Sequence, residues 1–463
     1  MGDNAVPSSA DVRAAVAAGG RGRLRAVAIF LLVFLVYNAN GREIASYDSQ
    51  PTKLAAIELA RYHTLTLDRV VLRTPALAER PGFTRDRAGH YRSAYPPLPA
   101  VIAAGVASIL GTLRLVDPAA LLAPNLVAKL TASLLVALAA AFAFLVARRR
   151  IGQAGAILIA LGFGLGTNLW AVSSQTLWQS ETAVVMLSAA VFALAVPGST
   201  LTFGRLSTAA LLLGLAAAAR PHLAPAVGIL AISIGTRRRR AADLLSLLPL
   251  LGVACAMAVV NVRWFGHPLG ALPRLQSALS VHAVTGTLAN PLAGAAGLLV
   301  SPSRGLLVFS PIVLVVLGSI RQVARETWRG DLRWWAVAAG AQLGFYACYS
   351  MWWGGHTYGP RYCLDLLPLL VPLAAAGLPW VLARRWRRHV AAAALAWSIV
   401  LAATGAFVYP HERWNTDPED VDRQHDRLWQ WNDSQFVRCW KSGWSPQNFS
   451  LFDRAAVRRP SSN

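Results

Sequence analysis

The chain has 463 residues, 55% hydrophobic and only 14% charged, with a formal net charge of +22 and a mean hydropathy of +0.44. That balance excludes an ordinary soluble enzyme and describes a polytopic membrane protein. The positive charge does not describe a nucleic-acid binder. The arginines stand in short clusters between apolar runs, at Arg148–Arg150, Arg237–Arg240, Arg321 to Arg333 and Arg384 to Arg388, which is the positive-inside pattern. Lys occurs only at 53, 129 and 441, a bias that fits a GC-rich bacterial genome.

The first apolar helix runs over about 26–40, behind Arg13, Arg21, Arg23 and Arg25. Those arginines hold its start in the cytoplasm, and the helix reads as a retained anchor, not a cleaved signal peptide. Residues 41–118 then form a first extracytoplasmic loop. It opens with Asn40-Gly41-Arg42-Glu43-Ile44-Ala45-Ser46-Tyr47-Asp48-Ser49, so Glu43 and Asp48 emerge at the membrane surface. Residues 50–64 show helical spacing of Leu54, Ile57, Ala60 and Arg61 and read as an amphipathic helix. The apolar stretch 98–113 is short and bracketed by prolines, and it reads as interfacial or re-entrant.

Ten further spans follow, at about 120–147, 153–171, 182–197, 206–219, 223–236, 241–262, 304–320, 332–350, 364–383 and 390–408. With this count of eleven, every dense arginine cluster lands inside. The expected fold is therefore all-α, with a cytoplasmic segment 1–25, a transmembrane domain 26–409 and an extracytoplasmic tail 410–463. The tail carries Trp414, Trp429, Trp431, Trp440 and Trp444, more tryptophan than a disordered segment holds, and it should fold back onto the outer face. Cys363 and Cys439 fall on that side, where a disulfide is permitted. Cys255 and Cys348 read as apolar core residues.

Polar groups from distant parts of the chain converge on the same side. Asp48 has two readings: a cap for the helix that starts near Gln50, or a general base or metal ligand at the bilayer surface. Glu43, five residues earlier, is a weaker catalytic candidate, either assisting or solvated. Arg220 lies between two short apolar spans, where an ionisable group is costly; it either snorkels to the headgroups or clamps a phosphate with its guanidinium fork. Arg304 and Arg361 share both readings, and Gly305 and Gly359 beside them would let backbone approach a ligand closely. Trp178, Trp352, Trp353 and Tyr358 belong to an interfacial aromatic belt or stack on a sugar, with His222 and His356 beside them. There is no Walker motif, dinucleotide fingerprint, nucleophile elbow or zincin histidine pair. A nucleotide cofactor is not expected.

Three stretches resemble the GT-C class of integral-membrane glycosyltransferases, near the bacterial protein O-mannosyltransferase and aminoarabinose transferase superfamily (glycosyltransferase family 39-like). They are Ser46-Tyr47-Asp48-Ser49 followed by Lys53-Leu54-Ala55-Ala56, then Tyr95-Pro96-Pro97-Leu98-Pro99, and Leu212-Leu213-Gly214-Leu215 leading to Arg220-Pro221. The first has one acid at its core instead of an adjacent pair, and no large soluble domain follows the last span. The resemblance implies transfer of a sugar from a polyprenyl-phosphate carrier to an extracytoplasmic acceptor in the inner membrane, with inversion. Asp48 would be the base, Arg220, Arg304 and Arg361 would hold the donor phosphate, and a divalent metal, Mg or Mn, would bridge Asp48 and phosphate. Partners would be the lipid-linked donor, the acceptor and membrane lipids, not nucleic acid. Two other readings stay open: a flippase for a lipid-linked saccharide, and a polysaccharide polymerase or ligase using a diphosphate carrier.

Overall fold

The computed structural model describes residues 9–196, 201–236, 241–275, 290–327 and 330–452. The cluster Arg237–Arg240 lies outside them. The described chain is helical apart from one small hairpin, in which β1 (Phe83–Arg85) pairs antiparallel with β2 (Tyr91–Ser93), Phe83 opposite Ser93. Among the described residues, four helical segments are long and apolar enough to cross a membrane: Ala123–Ala147, Leu244–Phe265, Arg361–Leu382 and Arg385–Phe407. Shorter apolar helices, among them Gln153–Leu165 and Phe203–Ala219, pack with them. The molecule is an all-α membrane protein.

Helix α1 (Ser9–Asn38) shows why the fold needs a lipid solvent. Ile29, Val33 and Tyr37, spaced by four residues, are buried, while Val27, Leu31, Leu32 and Leu35 are exposed. A helix apolar on every face, with only one stripe covered by protein, leaves the other for hydrocarbon. The buried stripe packs against α5 (Ala123–Ala147), whose alanines let the backbones approach. The Tyr37 hydroxyl donates to the Gly164 carbonyl at 2.8 Å, on α6 (Gln153–Leu165). Helices α7 (Ser180–Leu194) and α8 (Phe203–Ala219) continue the bundle.

The first loop is an ordered layer. Its amphipathic helix is α2 (Gln50–Tyr62), followed by the short α3 (Asp68–Arg73), the hairpin, and α4 (Leu98–Thr112). The stretch read as interfacial, 98–113, is this α4: Ala100, Ala103, Ala104 and Ala107 are buried while Val101 and Ile109 are exposed, and the helix packs on α2 and α5. The hairpin is absent from the sequence reading, because strands of three residues carry too little alternation to register.

Helix α9 (Ala224–Thr236) follows Arg220 after a short turn, and α10 (Leu248–Phe265) packs on α8 at the periphery, its residues half-buried or exposed apart from the buried Phe265. The expected span 304–320 is broken: α11 (Pro291–Val300) and the short α12 (Leu306–Phe309) precede a 3-10 stretch, Pro311–Ser319, and α13 (Ile320–Arg325). Pro311 removes a donor and ends the α-helix there. Then come α14 (Leu332–Ala347), α15 (Leu367–Leu382) and α16 (Arg385–Phe407). Arg150, at the end of α5, pairs with Asp331 at the start of α14, bringing two of the basic clusters to one end of the bundle.

At the opposite end the tail packs over the loops. Of its five tryptophans Trp414 is fully buried, whereas Trp429, Trp431, Trp440 and Trp444 are exposed. Helix α17 (Gln435–Ser442) lies against α16. The cysteine expectations need correction. Cys363 and Cys439 are both buried and both free, with the Cys363 thiol directed at the Leu298 carbonyl. Cys255 is exposed on α10 and Cys348 partly so, so neither is a core residue.

Candidate active site

The loops and tail form a cavity of about 780 Å³ lined by residues from distant stretches of the chain, from Ala45 to Asp422. Asp48 enters it from a 3-10 turn, Tyr47–Ser49, that leads into α2. Ser49 shapes this turn: its hydroxyl donates to the Ser46 carbonyl at 2.9 Å and accepts from the Ser46 amide at 3.1 Å. Asp48 makes no cap to α2, whose first residue is preceded by Ser49. Its carboxylate points across the cavity instead. Oδ1 accepts from the Tyr95 hydroxyl at 2.8 Å, and Oδ2 accepts from both terminal nitrogens of Arg361 at 3.2 Å. Burial, and then the Asp48 charge, push the Tyr95 phenol well above its ordinary range, so it remains a donor.

Arg361 starts the turn that leads into α15, after Gly359-Pro360. Its guanidinium lies over the Trp178 ring at 4.1 Å, a cation–π contact that flattens it against the wall. Arg220 sits at the end of α8 in extended backbone, 3% exposed. Its Nε pairs with Asp365 Oδ2 at 2.8 Å, and Asp365 also accepts from the Tyr346 hydroxyl. His222 lines the same cavity and sits among the rings of Phe345, Tyr346 and Tyr349.

The cavity thus gathers Asp48, Arg220, His222, His356 and Arg361, with Trp178 directly behind Arg361. Other candidates are not on its wall. Glu43 is buried in an ion pair with Lys53 at 2.6 Å and also accepts from Thr176; its burial pushes the carboxyl above the ordinary range, against the pull of Lys53. It braces the loop against α5, because Lys53 also donates to Asn125 at 2.8 Å. Arg304 is fully buried and spends its guanidinium on the Trp353, Ser303 and Gly355 carbonyls and on the Gln435 and Asn415 side chains. A guanidinium so saturated ties loop to tail and has nothing to offer a phosphate.

Trp352 and Trp353 are buried, packed on Trp429 and His425, with Trp353 Nε1 donating to Asp422 at 2.7 Å. Tyr358 is buried against Phe309 and donates to the Leu401 carbonyl at 2.9 Å. The glycines beside the arginines serve packing. A side chain at Gly359 would strike Asn168 and Phe309, and one at Gly305 the Ser301 backbone.

A metal at Asp48 does not fit. One carboxylate stands there, both its oxygens are engaged, and the neighbouring charge is a guanidinium. Among the described residues His356, Asp420 and Asp422 form a group with suitable donors, their ligand atoms all within 4.8 Å of one another. His356 Nε2 lies 2.9 Å from Asp420 and 3.6 Å from Asp422.

Several lining residues escape the sequence reading of the site: Tyr95, Tyr362, Tyr409, Glu412, Arg413 and Asn415. Four of these follow the last span directly, in Tyr409-Pro410-His411-Glu412-Arg413-Trp414-Asn415. A dense polar run at the exit of a span was the available signal.

Next to the cavity runs an apolar groove of about 240 Å³ between α8, α10 and the Tyr95-Pro96-Pro97 segment; it shares Tyr95, Pro96, Pro221 and Leu272 with the cavity wall.

No protein-family model matches the chain, and no curated protein is similar to it. Among solved structures it is similar to ArnT from Cupriavidus metallidurans bound to undecaprenyl phosphate, at 13% identity and a TM-score of 0.47, over 90% of this chain and 75% of that one. It is also similar to the oligosaccharyltransferase of Archaeoglobus fulgidus in the apo form (11% identity, TM-score 0.43, 93% of this chain and 63% of that one). A third likeness is to AglB of Archaeoglobus fulgidus in complex with an inhibitory peptide and a dolichol-phosphate (13% identity, TM-score 0.45, 95% of this chain). The chain spans 61% of that last protein, so less than two thirds of either Archaeoglobus chain.

Proposed function

We propose that this protein transfers a sugar from a polyprenyl-phosphate carrier to an acceptor in the cell envelope. The observation that supports this best is the Asp48–Arg361 pair on the wall of a cavity that carries several charged side chains and adjoins an apolar groove. A lipid-linked sugar needs that combination: an apolar channel for the tail, cations for the phosphate and a carboxylate for the acceptor proton. In this reading the chain crosses the inner membrane eleven times with its N-terminus and arginine clusters cytoplasmic, and the cavity faces the extracytoplasmic side.

The donor phosphate binds Arg361 and Arg220, two guanidiniums suited to phosphate oxygens that both line the cavity. Arg361 is already engaged by Asp48, so the phosphate competes with that carboxylate for it. As phosphate takes the guanidinium, the Asp48 carboxylate is released from its ion pair and is free to accept a proton. The acceptor hydroxyl attacks the anomeric carbon, its proton passes to Asp48, the bond from the anomeric carbon to the phosphate oxygen breaks, and the electron pair leaves on the phosphate. Arg220 and Arg361 stabilise the charge that develops there. Displacement from the face opposite the leaving group inverts the anomeric carbon. A divalent metal, where one is used, would be held by His356, Asp420 and Asp422 and would supply a positive charge on the same wall.

The test is transfer of label from a panel of radiolabelled polyprenyl-phosphate sugars to envelope acceptors by the purified protein and its Asp48→Asn variant. Transfer by the wild type and donor binding without transfer by the variant are the expected results. Full activity in Asp48→Asn would remove Asp48 from the mechanism.

A further inference from the structure

A second opening in the bundle takes no part in the transfer. It is a cleft of about 200 Å³ between α6, the 3-10 stretch Pro311–Ser319, α15 and α16, and it shares no lining residue with the cavity around Asp48 or with the groove beside that cavity. Along α15 its wall runs from Leu367 to Leu382, about 22 Å at the rise of an α-helix, so it is long as well as narrow. Of its lining residues only Thr167 and Arg388 have polar side chains, and the Thr167 hydroxyl already donates to the Phe163 carbonyl at 2.6 Å.

The sequence makes this opening. Helix α16 is fastened to the broken span near its middle, where Trp397 Nε1 donates to the Val308 carbonyl at 2.8 Å and the Ser398 hydroxyl accepts from the Ile312 amide at 3.4 Å. Just ahead of these residues stands the run Ala391–Ala394, and the short side chains of Ala391 and Ala392 line the cleft without filling it. The facing wall is fixed. The 3-10 stretch and α15 touch backbone to backbone at Gly318 and Gly377, where an added Cβ would strike a carbonyl. Apolar surface without packing atoms forfeits dispersion contacts, and in a bilayer the groups at hand to supply them are lipid chains.

The mouth of the cleft is basic. Arg384, Arg385, Arg387 and Arg388 follow α15 directly, and among the described residues no carboxylate pairs with any of them. Arg388 lines the cleft and donates its Nε to the Leu382 carbonyl at 2.7 Å; among the described residues its terminal nitrogens have no partner. Arg387 donates to the Trp380 carbonyl at 2.8 Å and stacks on that ring at 3.7 Å. Trp380 and Trp386 are exposed, as tryptophans at headgroup level are.

We propose that the cleft seats one acyl chain of an anionic phospholipid, with the headgroup phosphate on the terminal nitrogens of Arg388. Shape and charge agree at one place, because a narrow apolar slot ends at guanidiniums without counter-charges, and basic pockets between membrane helices hold anionic headgroups. The polyprenyl carrier does not suit this seat. Arg361 precedes α15 and Arg388 follows it, so a phosphate at Arg388 stands a helix length away from Asp48.

The experiment needs no sugar donor, so its outcome is independent of the transfer reading. Wild type, Arg388→Gln and Ala391→Phe are purified in detergent and labelled with phosphatidylglycerol carrying a photoreactive diazirine on one acyl chain, and the labelled peptides are mapped. The expected result is label on the cleft-lining residues of α6, α15 and α16. A tenfold excess of unlabelled phosphatidylglycerol should remove it, and the same excess of phosphatidylcholine or undecaprenyl phosphate should not. Arg388→Gln should weaken phosphatidylglycerol binding about fivefold, and Ala391→Phe, which fills the slot, should abolish the cleft label. Arg388 is exposed, so its variant keeps the fold and carries the test if Ala391→Phe does not fold. No label in the cleft overturns the proposal, as does equal competition by phosphatidylcholine or unchanged affinity in Arg388→Gln. Stronger competition by undecaprenyl phosphate also overturns it and makes the cleft a second carrier seat.

Discussion

Asp48 and Arg361 lie 313 residues apart and meet at 3.2 Å across the cavity, the carboxylate held on its other oxygen by Tyr95 and the guanidinium backed by Trp178. The pair joins the first loop to the turn ahead of α15. In the proposed transfer these are the two groups that must act separately, so donor binding would release the carboxylate in the same event.

Asp48→Asn keeps the shape and the Tyr95 contact but removes the base. General-base loss costs about 10²- to 10⁴-fold in rate. Transfer should fall by that amount with carrier affinity intact or improved, because Arg361 is freed for phosphate. Single-turnover transfer and carrier titration on the same preparation check both halves.

Arg361→Lys keeps a charge but loses the two-pronged contact to Asp48 and the flat stacking on Trp178. Donor KM should rise about tenfold, in line with about 1.5–3 kcal/mol for a charge-assisted hydrogen bond. Tyr95→Phe, which removes only the hydroxyl on Asp48, should have the smaller effect, a few-fold on kcat. Steady-state kinetics in donor and acceptor separate the two.

Arg220 and Asp365 are a buried pair, 3% and 0% exposed. Asp365→Asn leaves a guanidinium without its counter-charge, and breaking one side of such a pair costs about 3–5 kcal/mol. The variant should melt well below wild type, and Arg220→Met with Asp365→Leu should recover much of that loss while remaining inactive. Thermal denaturation in detergent reads the first, and the transfer assay the second.

Arg304→Ala should release the tail and leave the donor site standing. Its partners Gln435 and Asn415 lie in the tail at 2.6 and 2.8 Å. Limited proteolysis should cut within 410–452 in the variant and spare the wild type, while carrier affinity changes little.

Glu412 also makes a stability prediction. Its folded value, about 7, lies above the ordinary 4.5. A raised carboxyl contributes its stabilisation fully below pH 4.5 and loses it as pH rises through 7. Wild type should therefore gain stability as pH falls from 8 towards 5, by about 3 kcal/mol at most from this group. Glu412→Gln should flatten that slope in melting curves over the same range.

What the sequence determined by itself is local. Hydropathy and the 3.6-residue period mark the apolar helices, because each is a property of neighbouring residues in one segment. Arginine clustering marks their ends for the same reason. Asp48 and Arg220 were legible as cavity residues because each stands at the end of an apolar run. Only the tertiary structure could separate Arg304 from Arg361. Both flank a glycine near a membrane face, and nothing nearby in sequence distinguishes them. The difference is made by partners 111 and 131 residues away, Asn415 and Gln435, which saturate one guanidinium, and by Asp48 and Trp178, which hold the other at the cavity wall. Glu43, weighed as a catalytic candidate, leaves the cavity wall by the same logic. Whether a carboxyl meets Lys53 and Thr176 or lines the cavity is decided by how loops and tail close over the bundle, and that closure is a long-range packing result no single stretch of chain encodes.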